Sequence, residues 1–163
     1  LLSAKIKRKG KIIGAFNALN DVVVSGSGIA KLIDLAISLN GISFGTFRSD
    51  GVIVSTPTGS TAYSAASGGP ILDPGVSAFV LTQVSPFSLS NRPLVLPSSG
   101  TMTIKVLPIR TKETILSVDG QEAFSLKEND EIIISESPDK VKLAGCSPDN
   151  FYKALRSKLG WSG

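Results

Sequence analysis

Pairs of turn-forming residues, set between short apolar segments, constrain this chain more than any other feature in it. Lys9-Gly10, Asn40-Gly41, Asp119-Gly120 and Asn129-Asp130 are spaced along the sequence in this way. An Asn-Gly or Asp-Gly pair is the strongest short-range hairpin signal, because a tight two-residue turn needs positive φ at both central positions. The flanking segments fit. Residues 4–8 and 11–16 bracket Lys9-Gly10. From Ile33 onward, apolar Ile33, Leu35, Ile37 and Leu39 alternate with polar Asp34, Ser38 and Asn40. That period of two predicts a half-buried strand. Residues 42–47 return from the Asn40-Gly41 turn, and 52–56 form the next strand. Further strands are predicted at 22–25, 78–82, 94–96, 101–107, 113–118, 122–126, 131–135 and 141–144. Many short strands with regular turns predict a mainly β fold, two packed sheets with few short helices.

Helix is predicted at two places. Ser60 or Thr61 is expected to cap a helix over 62–67, stopped by Gly68-Gly69-Pro70. Ser147-Pro148-Asp149 is expected to cap a second helix through Leu155. Phe151, Leu155 and Leu159 fall on one face of it, a stripe suited to core or interdomain packing.

Composition narrows the function classes. The 163 residues, 42% hydrophobic and 18% charged, suffice for one folded domain with a real core. No apolar run approaches a membrane span and no cleavable signal is visible, so no membrane is expected as partner. The chain begins with Leu1, not Met, so a trimmed start or a part of a longer protein is expected. Net charge is +4, from 17 basic and 13 acidic residues, with Lys5, Lys7, Arg8, Lys9 and Lys11 clustered. No aromatic residue interleaves with that cluster to stack a base, so a solvated hairpin is favoured over a nucleic-acid partner. There is no histidine, which removes Ser-His catalysis and histidine metal sites. A general base must then be a carboxylate, a lysine or a tyrosine. The single cysteine, Cys146, permits no internal disulfide, fits a cytoplasmic location, and reads as a small packing residue beside Gly145.

Residues 50–63 carry the binding signal. The apolar run Val52-Ile53-Val54 feeds a loop of hydroxyl and glycine residues, Ser55-Thr56-Pro57-Thr58-Gly59-Ser60-Thr61, that ends at Ala62-Tyr63. A loop at the end of a buried strand, leading into a helix start, presents N–H groups and hydroxyls to a phosphate or a polar nucleotide edge. It is neither a Walker A loop nor a Rossmann fingerprint. Local reading leaves two alternatives: a nucleotide site, or an ordinary Ser/Thr-rich turn with an N-cap.

The run from Asp50-Gly51 through Ser55-Thr56-Pro57-Thr58-Gly59-Ser60-Thr61-Ala62-Tyr63 to Gly68-Gly69-Pro70 resembles the signature of the NAD kinase family. So do the upstream Ala18-Leu19-Asn20-Asp21 with its valine run, Leu89-Ser90-Asn91-Arg92-Pro93-Leu94, Val118-Asp119-Gly120-Gln121, and the tail from Phe151 to Trp161. These blocks stand in family order over nearly the whole chain, and residues 58–63 are the most specific. The resemblance implies a two-sheet β-sandwich C-terminal domain over residues 1–163. In that family it follows an N-terminal α/β domain bearing a Gly-Gly-Asp-Gly motif, which this chain lacks.

The resemblance implies transfer of the ATP γ-phosphoryl group to the 2′-hydroxyl of the adenosine ribose of NAD, giving NADP. It assigns no catalytic residue here, because the family's proposed base lies in the Gly-Gly-Asp-Gly motif. The NAD-binding positions it implies are Asn20 at the adenine edge and Asp21 at the ribose. The family often has glutamate at the second of these, and the shorter aspartate puts the reach to the ribose in question. Thr61, Ala62 and Tyr63 would line the pocket, and Asp50 would meet the nicotinamide carboxamide, oriented by Arg48. Ser55, Thr56 and Thr58 would contact phosphates or simply satisfy the loop backbone. Gln121, with Asp119, would flank a turn that closes the site. Against these stand plain readings: a turn at Asn20-Asp21, a core Tyr63, a turn aspartate at Asp50, a solvated Arg48 and a hairpin at Asp119-Gly120.

Mg²⁺ or another divalent metal is expected to arrive with ATP, since no carboxylate cluster offers a protein cage. ATP or polyphosphate is the expected donor, and a homodimer or homotetramer the expected assembly. Two other classes remain: a lipid kinase of the related diacylglycerol or sphingosine type, and a non-catalytic dinucleotide-binding or oligomerisation module. The chain alone is expected to bind NAD weakly and transfer little phosphate.

Overall fold

In the computed structural model, residues 1–28, 32–88, 91–108, 113–145 and 147–160 are described, with Glu122, Ala123, Pro148 and Leu159 described by backbone alone. Leu89, Ser90, Cys146 and Trp161, all singled out in the sequence, lie outside the described residues.

The strands are β1 (Leu2–Arg8), β2 (Lys11–Ala18), β3 (Asp21–Gly26), β4 (Ile33–Leu39), β5 (Ile42–Ser49), β6 (Gly51–Ser55), β7 (Ala78–Val84), β8 (Leu94–Pro97), β9 (Met102–Val106), β10 (Thr114–Val118), β11 (Gln121–Leu126) and β12 (Glu131–Glu136). They form two six-stranded sheets, ordered β2-β1-β12-β9-β4-β5 and β11-β10-β3-β6-β7-β8. Every pairing among them is antiparallel. The predicted two-sheet sandwich is what the chain forms.

Alternation decides which side chains are buried between the sheets. From the first sheet Ile6, Ile37, Ile104, Ile132 and Ile134 point inward. From the second, Val22, Val24, Val52, Val54, Leu81 and Leu116 meet them. Each fully buried side chain of this kind contributes about 1.5–3 kcal/mol by leaving water. The turns behave as read: Asn40 and Gly41 sit at φ 50° and 79°, and Asp119 and Gly120 at 48° and 79°.

One ion pair closes the sandwich beside β1. The Arg8 guanidinium donates through Nε (2.8 Å) and Nη2 (2.7 Å) to Asp130, whose carboxylate also accepts from the Lys127 amide at 2.8 Å. Arg8 lies over the Phe124 ring of the opposite sheet, 5.7 Å from its centre. Lys7 pairs with Glu131 at 3.2 Å. Two charges of the basic cluster are therefore neutralised within the fold.

Helix departs from expectation at the loop. Residues 62–67 were expected to be helical behind a Ser60 or Thr61 cap. The structure has a 3₁₀ turn at Thr58–Thr61 and then one helical turn, α1 (Tyr63–Ala66), with no side-chain cap. Both hydroxyls are used inside the loop: Ser60 Oγ donates to the Pro57 carbonyl, and Thr61 Oγ1 to that of Thr58. The second helix, α2 (Pro148–Leu159), does start at Ser147, whose Oγ accepts from the Asn150 amide at 3.2 Å. It runs a turn beyond Leu155. The predicted strand at 141–144 is absent: the segment is irregular, with Val141 and Leu143 exposed and unpaired with either sheet.

Candidate functional site

The inward valines of β3 force its alternate residues outward, so Asp21, Val23 and Ser25 line the outer face of the second sheet. Ser117 of β10 lies beside Val23 in register. These side chains floor a cavity of about 400 Å³. Ala62 and Tyr63 form one wall, and Asn20 with the Asp119-Gly120 turn forms one end. Tyr63 is 46% exposed, so it is not a core aromatic.

Asp119 shapes that end. Its carboxylate accepts from three successive amides, Leu19 (2.8 Å), Asn20 (2.7 Å) and Asp21 (3.1 Å). Its own amide donates to the Asp21 carbonyl. The charge is thus spent on holding the 19–21 backbone, which aims the side chains of Asn20 and Asp21. The loop grips the same backbone from the other side. Thr56 Oγ1 donates to the Leu19 carbonyl at 2.7 Å and accepts from the Gly59 amide at 3.0 Å, while the Thr56 amide donates to the Asn20 carbonyl. Gly59 lies so close that a Cβ there would collide with the Asn20 backbone. Only glycine fits this approach, which gives the glycine of the 58–63 motif its physical reason.

Asp21 is 4% exposed. Burial pushes its carboxyl above the usual aspartate range, and the neighbouring Asp119 charge adds to the effect. A raised carboxyl at the floor of a cavity marks a candidate functional group.

The structure divides the residues singled out in the sequence. Asn20, Asp21, Ala62 and Tyr63 meet in this cavity. Thr58 and Thr61 face a second hollow of about 580 Å³ on the far side of the loop, bordered by Asp73, Leu143 and the Phe151 and Ala154 face of α2. There Tyr152 Oη donates to Asp73 at 2.6 Å, tying α2 to the sandwich. Ser55 is fully buried beneath the loop. Asp50 is half-buried at the other end of β3, where its amide donates to Val84 and its carbonyl accepts from Gly26. Arg48 points at Asp34, its cross-strand partner, at 3.9 Å, and over the Phe87 ring. Its charge is directed there and not at Asp50. Gln121 is exposed at the start of β11, beyond the cavity lining.

Sequence reasoning passed over Val23, Ser25 and Ser117, although strand alternation carried the signal for the first two. It treated Asp119 as a turn flank, whereas its carboxylate organises the cavity. Among the described residues no group of three His, Cys, Asp or Glu side chains is placed to hold a metal ion. No described helix is long and apolar enough to cross a membrane.

Fold and cavity together define a two-sheet β-sandwich domain with a cavity on the outer face of one sheet, beside a glycine-bearing loop. The chain belongs to the family described as the ATP-NAD kinase C-terminal domain, which matches residues 19–145. It is 80% identical over 163 residues to an NAD kinase of Treponema denticola and 55% identical to one of Treponema pallidum, covering all of this chain and 57% and 53% of theirs. Among solved structures, yeast NADH kinase complexed with NADH superposes with a TM-score of 0.88 at 30% identity, over 99% of this chain and 49% of that one. An NAD kinase from Archaeoglobus fulgidus in complex with ATP gives 0.67 at 28% identity, over 84% and 51%. The chain spans about half the length of the relatives it matches.

Proposed function

We propose that residues 1–163 are the NAD-binding C-terminal domain of an NAD kinase, which transfers the γ-phosphoryl group of ATP to the 2′-hydroxyl of the adenosine ribose. The observation that carries the reading is the meeting of Asn20, Asp21, Ala62 and Tyr63 in one cavity, in a chain of this family. The Asn20 amide has the donor and acceptor that an adenine edge requires. The Asp21 carboxylate accepts from ribose hydroxyls and so fixes the nucleophile's orientation. Tyr63 offers an exposed ring face, and Ala62 its backbone. Thr58 and Thr61 would act across the rim of the loop between the two hollows. Asp50 would reach the nicotinamide carboxamide of a ligand extended along β3, or of one held by a neighbouring subunit of a homodimer or homotetramer.

In this role the chain supplies positioning: it holds the acceptor hydroxyl where the phosphoryl group arrives, and excludes water around it. Donor and base would come from the lobe bearing Gly-Gly-Asp-Gly, which is not in this sequence. Asp119 is committed to three backbone amides, and no other carboxylate joins Asp21 in the cavity, so this chain does not fit a metal cage of its own. A divalent ion would enter as part of the ATP complex and neutralise phosphate charge there. The cytoplasm, where both nucleotides are made available, is the proposed location.

The test is direct. The full-length protein, given ATP, is offered NAD, a diacylglycerol and sphingosine in parallel. NADP formation without lipid phosphorylation supports the reading, and lipid phosphorylation without NADP overturns it. The same chain cut to residues 1–163 is expected to bind NAD weakly and form little NADP.

A further inference from the structure

Beneath the cavity lies a buried hydroxyl with no acceptor, and beside it in the sheet a carboxylate that lines the cavity. Ser55 is 0% exposed, and its hydroxyl has no hydrogen-bond partner. Asp21 is 4% exposed, and among the described residues no hydrogen bond to its side chain is present; its recorded contacts run through its backbone. A buried hydroxyl without an acceptor is costly, and the Asp21 carboxylate, which lines the cavity above it, has acceptor capacity to offer. The two residues are cross-strand partners, Asp21 on β3 directly opposite Ser55 on β6. Both point to the outer face, because their neighbours Val22 and Val54 belong to the core. Facing partners have Cβ atoms about 5 Å apart. Rotation about side-chain single bonds therefore brings the Ser55 O–H to the Asp21 carboxylate with no backbone change.

We propose that Ser55 is a positioning residue for Asp21: its hydroxyl donates to the buried carboxylate, holds it ionised, and turns its free oxygen toward the ligand in the cavity. Asn20, Ser25 and Ser117 also line the cavity with side chains able to donate, but Ser55 is the cross-strand partner of Asp21 and, among the described residues, the buried donor left without an acceptor. Asp119 is itself a carboxylate, and the remaining titratable side chain of the cavity is Tyr63, on the opposite wall. Among the described residues no lysine or arginine lines it. The Asp21 carboxyl is raised by burial and by the Asp119 charge, and a hydrogen bond donated to its ionised form acts against both. The sequence leaves Ser55 either near phosphates or satisfying the loop; its full burial opposite Asp21 points to a third task.

The ligand part of this inference rests on the NAD reading above, but the carboxylate part does not, and the two are separable. Ser55→Ala is a conservative change at a buried strand position, and Ser55→Thr keeps the hydroxyl. In the full-length protein, the Asp21 carboxyl is titrated by ¹³C NMR and NAD kinetics are measured alongside. Ser55→Ala is expected to increase the proton affinity of Asp21 about tenfold, the size of one hydrogen bond to a charged group. KM for NAD is expected to rise about tenfold with kcat changed less than about twofold, because ligand positioning and not chemistry is lost. Ser55→Thr should restore both. A double-mutant cycle with Asp21→Ala guards against a packing artefact of the lost hydroxyl: Ser55→Ala should alter stability only while Asp21 is present. An unchanged Asp21 titration in Ser55→Ala, or equal stability effects with and without Asp21, overturns the proposal. A shifted titration with unchanged NAD kinetics upholds the Ser55–Asp21 pairing and counts against NAD as the ligand.

Discussion

Asp119 holds more of the candidate site than any other single residue, because one carboxylate satisfies three consecutive amides. Asp119→Ala leaves those amides without partners and frees the 19–21 turn. The expected loss is about 2 kcal/mol in denaturant unfolding, with a larger effect on ligand affinity than the stability loss alone would cause. Asp21 has the opposite profile. Its folded carboxyl is raised by burial and by Asp119, so the native state binds the proton more tightly than the unfolded chain. Ionisation of Asp21 therefore weakens the fold as pH rises through the folded value. Asp21→Asn is expected to stabilise the protein at neutral pH while abolishing NAD affinity, a trade common at functional sites. In the unsubstituted protein, affinity for NAD should fall on acidification at a pH above the ordinary aspartate range, as the acceptor is protonated. Calorimetric titration across pH checks both points, and a pH-independent affinity would remove Asp21 from the site.

At the scale of elements, the Arg8–Asp130 pair reinforces the ladder between β1 and β12 at one end. Burial pushes the Asp130 carboxyl up, but the Arg8 hydrogen bonds, the Lys127 amide and the nearby positive charges outweigh it, and the carboxyl ends below its usual value. With a lowered folded value, its stabilisation is complete above the unfolded aspartate range and is lost as pH falls toward the folded value. Asp130→Ala strands the Arg8 charge and is expected to cost about 3 kcal/mol, read by thermal or denaturant unfolding at neutral pH. At a pH below the folded carboxyl, the difference from the parent should shrink. Strands and turns were largely legible in the sequence, since alternation and Asn-Gly or Asp-Gly pairs are local signals and the local signal decided the outcome. The misreadings share a cause. Ser60 and Thr61 have the chemistry of helix caps, but nearby carbonyls captured their hydroxyls. Residues 141–144 alternate like a strand, but no sheet edge pairs with them. The Asp119 clamp joins residues about a hundred positions apart, so no window of sequence contains it. Gly59 was visible within a motif, but its reason, contact with the Asn20 backbone, exists only after folding.

At the scale of the molecule, the second sheet floors the cavity and hydrogen bonds through Thr56 and the close approach of Gly59 tie the loop to the 19–20 backbone. Gly59→Ala is expected to push the loop off the 19–20 backbone and lower NAD affinity at least about tenfold, with the core strands left intact by circular dichroism. The loop borders two hollows: the proposed acceptor site occupies one, and the other lies beside α2. The measurement that tests this account most directly is a titration of NAD into the ¹⁵N-labelled protein, followed by amide shifts. Saturable shifts concentrated at Asn20, Asp21, Ala62, Tyr63 and Gly120 are the predicted result. Shifts confined to the α2 face around Phe151 and Ala154, with the first group unmoved, would contradict it.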